Sequence, residues 1–164
     1  MNAGAVARRV LVAAAFLVLV GGCSAETGPV EVDAPQPATE DQDACRALVD
    51  ALPDSVADEP KRAVTPESDW AAAWGDPAIV LTCGVPEPEG FKRTSSCITV
   101  NGVDWFIPEG QLESSEAVDL TMTTVHREQY VEVLLPAEHL PPATTLADLS
   151  SAVSSSIEAT GECV

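Results

Sequence analysis

Basic residues and aromatics are both scarce in this chain, and no apolar run is long enough to cross a bilayer. Its 164 residues hold eight Lys and Arg against 26 Asp and Glu, a formal net charge of −18 at pH 7. So acidic a chain repels the phosphate backbone, which excludes nucleic acid as a partner. The charge reads as a solvated coat, the alternative being affinity for cations or a basic partner. Aromatics make up only 4% of the residues, so Trp70, Trp74 and Trp105 read as core rather than as an exposed sugar-stacking platform. No phosphate-cradling Gly loop, His-Glu-x-x-His, Gly-x-Ser-x-Gly, calcium-loop spacing or Cys-x-x-Cys occurs. Neither His126 nor His139 stands beside a cysteine in sequence, so no metal site and no cofactor is expected.

The longest apolar stretch, Val10 to Val20, is about eleven residues, whereas a spanning helix needs about 20. Preceded by Arg8-Arg9 and closed by Val20-Gly21-Gly22-Cys23, it has the three-part layout of a secretory leader. A cysteine directly after small residues resembles the lipobox of bacterial lipoproteins, which implies cleavage after residue 22 and diacylation of Cys23. Val20 and Gly21 stand where that pattern more often has leucine and alanine or serine. The alternative is a secreted protein with a spare cysteine. Two acyl chains suffice for stable anchoring, placing the protein on the outer face of the cytoplasmic membrane, in contact with that membrane through the lipid. Loss of the leader arginines leaves six basic residues against 26 acidic, a net of about −20. The shortage of lysine against abundant Ala, Val, Pro, Asp and Glu suits a high-GC genome, such as that of an actinobacterium.

Residues 23–42 read as a lipidated cysteine followed by a disordered, acidic, Pro-rich tether, with an r.m.s. reach of about 25 Å. Residues 43–164 read as one globular domain. Asp43 is an N-cap type residue before a short helix that turns Cys45, Leu48, Val49 and Leu52 inward and stops at Pro53. Thr145-Leu146-Ala147-Asp148 resembles a capping box opening a second helix, with Leu146, Leu149, Val153 and Ile157 on its buried face. Between them Ile79–Cys83 is a central strand, and Trp70–Trp74 is read as the strand before it, joined through Gly75-Asp76. Asn101-Gly102 makes a type I′ hairpin of 97–100 with 103–106. Its register sets Val100 opposite Val103 and Ile98 opposite Trp105, four side chains on one face to be buried, with Thr99 and Asp104 facing the other way. Residues 118–126 and 130–135 form a further pair connected through His126–Gln129. The expected fold is α+β: an antiparallel sheet of about five strands with an N-terminal and a C-terminal helix on one face and two disulfides.

Setting Cys23 aside leaves Cys45, Cys83, Cys97 and Cys163, an even number in an oxidising compartment, with three possible pairings. An antiparallel return from Cys83 to Cys97 brings those two within bonding range. Cys45 and Cys163 then pair by default, tying the two chain ends together.

Chemistry is thinly signalled. His126 is a general-base option near Ser95 or Ser96, and Glu87 with Glu89 is an acidic pair, but a structural histidine and a solvated loop are the simpler readings. No catalytic residue is assigned. The segment Gly84–Arg93, with Phe91, Lys92 and Arg93, is the candidate binding loop.

The block Ala73-Trp74-Gly75-Asp76-Pro77-Ala78-Ile79-Val80-Leu81-Thr82-Cys83-Gly84-Val85-Pro86, with Val103-Asp104-Trp105 after it, resembles the actinobacterial secreted and lipoprotein family called domain of unknown function 3515. The resemblance runs from about Cys45 to Cys163. It implies an actinobacterial envelope protein with paired cysteines and brings no activity, cofactor or catalytic residue. The expectation is a non-enzymatic binding or structural module with an envelope-protein or cell-wall partner. The alternative is a small wall-associated hydrolase using His126 or an acidic pair.

Overall fold

A computed structural model describes residues 28–163; the expected leader and the expected acylation at Cys23 fall outside these residues. The elements are β1 (Val30–Glu31), α1 (Gln42–Ala51), β2 (Ser55–Val56), β3 (Glu59–Arg62), β4 (Val64–Thr65), β5 (Ala71–Trp74) and β6 (Ile79–Val85). There follow β7 (Ile98–Val100), β8 (Val103–Phe106), α2 (Glu109–Leu112), β9 (Leu120–Val125), β10 (Tyr130–Leu135) and α3 (Ala143–Ser156). Eight strands form one antiparallel sheet in the order β2-β3-β5-β6-β10-β9-β8-β7. No helix among the described residues is long and apolar enough to cross a membrane.

One face of the sheet carries α1 and α3. Their inward residues, Cys45, Leu48, Leu146, Leu149, Val153 and Ile157, close over Leu81, Met122, Val133, Trp74 and Trp105. This is the α+β arrangement expected, but with eight strands rather than about five. The additional strands β2 and β3 read Ser-Val and Glu-Pro-Lys-Arg, with no apolar alternation to reveal them. Their turn, Ala57-Asp58, has positive φ at both residues (51° and 65°) without a glycine or asparagine to announce it.

The hairpin at Asn101-Gly102 forms with the expected register, Val100 against Val103 and Ile98 against Trp105, and positive φ at both turn residues. Val103 and Trp105 are fully buried, whereas Val100 is half-buried and Ile98 is exposed. The reason is position: β7 is the last strand of the sheet, with no further strand beside it. Trp74 is fully buried too and Trp70 only partly, with the Arg46 guanidinium 5.6 Å from the ring centroid.

Both helix starts differ from expectation. Helix α1 begins at Gln42, one residue ahead of Asp43, which instead pairs with Arg46 in the first turn. The N-cap residue Asp41 turns its carboxylate to Gln129 Nε2 at 2.9 Å. Helix α3 begins at Ala143, so Thr145 is buried inside the first turn and caps nothing. Asp148 accepts the Ala57 N–H at 2.9 Å, and the capping-box pattern thus serves the β2–β3 turn.

Residues 28–42, expected to belong to a disordered tether, are described and hold the strand β1. From Gly28 onward the chain is paired to the body: β1 runs parallel to β4, and Val30 and Val32 donate N–H bonds to Ala63 O and Thr65 O. Pro37 is buried against Gly84, whose φ of +79° and missing Cβ admit the proline ring.

The four cysteines do form two disulfides, but Cys45 joins Cys83 and Cys97 joins Cys163. Strand order decides this. Hairpin β9–β10 and strand β8 lie between β6 and β7, so Cys83 and Cys97 belong to strands four spacings apart. At about 4.8 Å per spacing, that is near 19 Å, far beyond disulfide reach. Cys83 faces the helices and meets Cys45 at a Cα separation of 5.5 Å. Cys97, just before the edge strand β7, meets the C-terminal tail at 6.3 Å.

Candidate functional site

The face of the sheet turned away from α1 and α3 holds the groups with unspent chemistry. Across five strands the register aligns Phe106, Thr123, Glu132, Thr82 and Ala71 in one row. Val125 and Asp104 are paired one position along on the same face.

At one end of this face is a cleft of about 250 Å³ lined by Thr99, Asp104, His126, Arg127, Gly161 and Cys163 among others. His126 directly follows β9 with φ of +58°, and its ring lies beside Asp104 of β8. Its Nδ1 is 3.5 Å from Asp104 Oδ2 and is buried without a hydrogen bond. Asp104 is itself nearly buried. It accepts the Thr99 hydroxyl at 2.6 Å and the Cys163 N–H at 2.8 Å. Arg127 is buried beneath the cleft, donating to Ile157 O at 2.6 Å and Gly102 O at 2.9 Å. Burial lowers its pKa, an effect opposed by the Asp104 charge. It also forms a bridge to Ala159 and, with Thr160 N–H donating to His126 O, fixes the tail that carries Cys163.

A second, larger cleft of about 420 Å³ lies between the 31–35 segment and the 85–89 loop. Its floor is Val80, Thr82, Glu132 and Leu134, and its walls bring in Glu31, Asp33, Glu87 and Glu89. Leu134 is 45% exposed there, an apolar side chain among carboxylates. Desolvation holds the Glu132 carboxyl above the usual carboxylate range. Burial and the nearby Glu87 charge also raise the Tyr130 phenol. No Lys or Arg is among the residues lining this cleft.

The structure separates the residues singled out from sequence. Phe91 is not presented to solvent as a free aromatic: it packs edge-on to Phe106 at 5.4 Å and to His126 at 5.9 Å. Lys92 and Arg93 are exposed. Ser95 Oγ accepts the Lys92 N–H, closing a local turn, and neither Ser95 nor Ser96 lines the His126 cleft. Glu87 and Glu89 line the second cleft, while His139 Nε2 meets Pro77 O at 2.7 Å. Asp104, Arg127 and Glu132 were not singled out. A hairpin register could show that Asp104 faces outward, but not that a second hairpin and the tail would gather around it.

Fold and site define a class: a disulfide-bridged α+β domain whose helices cover one face of an antiparallel sheet and whose other face carries open clefts. The family profile described as a protein of unknown function, DUF3515, matches residues 3–161, and the chain belongs to that family. No curated protein and no solved structure matches it.

Proposed function

We propose that this protein is a non-enzymatic binding module, anchored by a lipid on Cys23 to the outer face of the cytoplasmic membrane, whose acidic cleft takes a basic segment of another envelope protein. The observation that carries this reading is the lining of the larger cleft. Glu31, Asp33, Glu87, Glu89 and the desolvated Glu132 surround it without a cation, and Leu134 supplies an apolar contact. A Lys- or Arg-bearing segment with one apolar side chain is complementary to that lining, and its charge would relieve carboxylate repulsion. The hydrolase alternative has less support. Thr99 carries the one hydroxyl among the residues lining the His126 cleft, and that hydroxyl donates to Asp104.

The test is cross-linking and capture by the full-length protein in its native envelope. Wild type should retain a partner, and Glu132→Lys combined with Glu87→Lys should lose it. Failure of wild type to retain any envelope partner would remove this reading. Anchoring is checked separately: Cys23→Ser should move the protein from the membrane fraction to the soluble fraction and eliminate the diacylglycerol mass from the mature chain.

A further inference from the structure

The two disulfides sit in different surroundings. Cys45 and Cys83 are fully buried beneath α1. Cys97 and Cys163 are only partly buried, Cys163 lines the smaller cleft, and His126 stands beside them. One potential ligand atom from each of Cys97, His126 and Cys163 lies within 4.8 Å of the other two. This is the one such group of three among the described residues.

We infer that reduction of the Cys97–Cys163 bridge creates a site for a thiophilic divalent ion of the zinc type, held by the two thiolates and the His126 imidazole. Bonds of about 2.3 Å to sulfur and 2.0 Å to nitrogen set tetrahedral ligand atoms about 3.5–3.8 Å apart. The three ligand atoms lie within 4.8 Å of one another, and once the bridge is opened the two sulfurs have only to move from bonded contact to that spacing. Asp104 supplies what a ligating histidine ordinarily has behind it, a carboxylate facing its ring at 3.5 Å. The same Asp104 accepts the Cys163 N–H, which holds the tail in place once the covalent bond is gone. Arg127 adds two further contacts to the carbonyls on either side. The cleft leaves a fourth position for water or an exogenous ligand.

The chemistry balances with a dithiol as reductant. Two electrons and two protons pass from the dithiol to the bridge, giving two thiols and a disulfide of the reductant. The ion then displaces the two thiol protons to form two metal–sulfur bonds. A disulfide oxidant that takes two electrons from the two thiolates, leaving as two thiolates of its own, would re-form the bridge and release the ion, so the site is gated by redox state.

The experiment uses the full chain in detergent. Limited dithiothreitol opens the partly exposed bridge and is removed anaerobically. Alkylation and intact mass then locate the free thiols at Cys97 and Cys163, with Cys45–Cys83 closed. Titration with Co²⁺ should give tetrahedral d–d absorption and a thiolate-to-cobalt charge-transfer band saturating at one ion per chain, both displaced by Zn²⁺. The unreduced chain should show neither. His126→Asn, chosen because asparagine tolerates positive φ, should weaken binding at least about tenfold, and Asp104→Asn by about 10–100-fold. A reduced chain without the charge-transfer band overturns the inference. So does an affinity unchanged in His126→Asn, or loss of the native circular dichroism when this bridge alone is opened.

Discussion

Trp74 and Trp105 are both fully buried, yet their indole N–H groups are treated differently. Trp74 Nε1 donates to Pro53 O at 3.0 Å, pinning the end of α1 to β5, whereas Trp105 Nε1 has no partner among the described residues. Trp74→Phe removes the hydrogen bond to the part-buried Pro53 carbonyl, and Trp105→Phe removes a donor that had no partner. The first substitution should therefore cost about 0.5–1.5 kcal/mol more than the second in denaturant titrations. Glu132 gives a prediction with a pH sign. Burial raises its pKa in the folded chain, so the folded protein keeps this proton at pH values where the unfolded chain has released it. Stability falls as pH rises through that window and is restored below the ordinary glutamate value. Glu132→Gln should flatten this dependence and raise the melting temperature at pH 7 by a few degrees, as followed by calorimetry across the acidic range.

The elements legible in the sequence were those announced by local chemistry. Asn101-Gly102 specified its turn and register, Gly75-Asp76 joined β5 to β6 as read, and the spacing of Leu146, Leu149, Val153 and Ile157 gave the buried face of α3. What escaped was set by distant partners. The turn at Ala57-Asp58 is held in part by Asp148, 91 residues away from Ala57 in sequence, and Asp41 is drawn from its helix end by Gln129. Strand β1 is two residues long and pairs with β4 in parallel, a pattern without periodicity to detect. Gly84 tests how this segment is held. A Cβ there would approach Pro37 Cγ to 2.6 Å at a backbone φ of +79°. Gly84→Ala should cost about 1–3 kcal/mol through left-handed strain and the displaced proline. Hydrogen exchange at the Val30 and Val32 amides should accelerate in this variant before the rest of the sheet is affected.

For the whole molecule, strand order carries the most information, and it was the least accessible. Local reasoning paired Cys83 with Cys97 because they flank one loop; insertion of three strands between β6 and β7 separates them and brings Cys97 to the tail. The same insertion assembles the smaller cleft, since His126 and Asp104 come from neighbouring strands that the sequence places 22 residues apart. Each bridge closes a long loop, of 38 and 66 residues by separation, so chain entropy assigns each about 4 kcal/mol. Replacing Cys45 and Cys83 together by alanine should lower stability by about that amount, measured with the Cys97–Cys163 bridge intact.

Pairing of the chain to its body from Gly28 onward also sets a ceiling on standoff. Cys23 and Gly28 are five residues apart, a span of at most about 18 Å when fully stretched. If Cys23 is acylated as proposed, the domain is held within about that distance of the membrane surface. Glu31 and Asp33, three and five residues past Gly28, would then put the mouth of the larger cleft close to the bilayer plane. A ligand segment would approach sideways, from the juxtamembrane stretch of a neighbouring integral protein, more readily than from above.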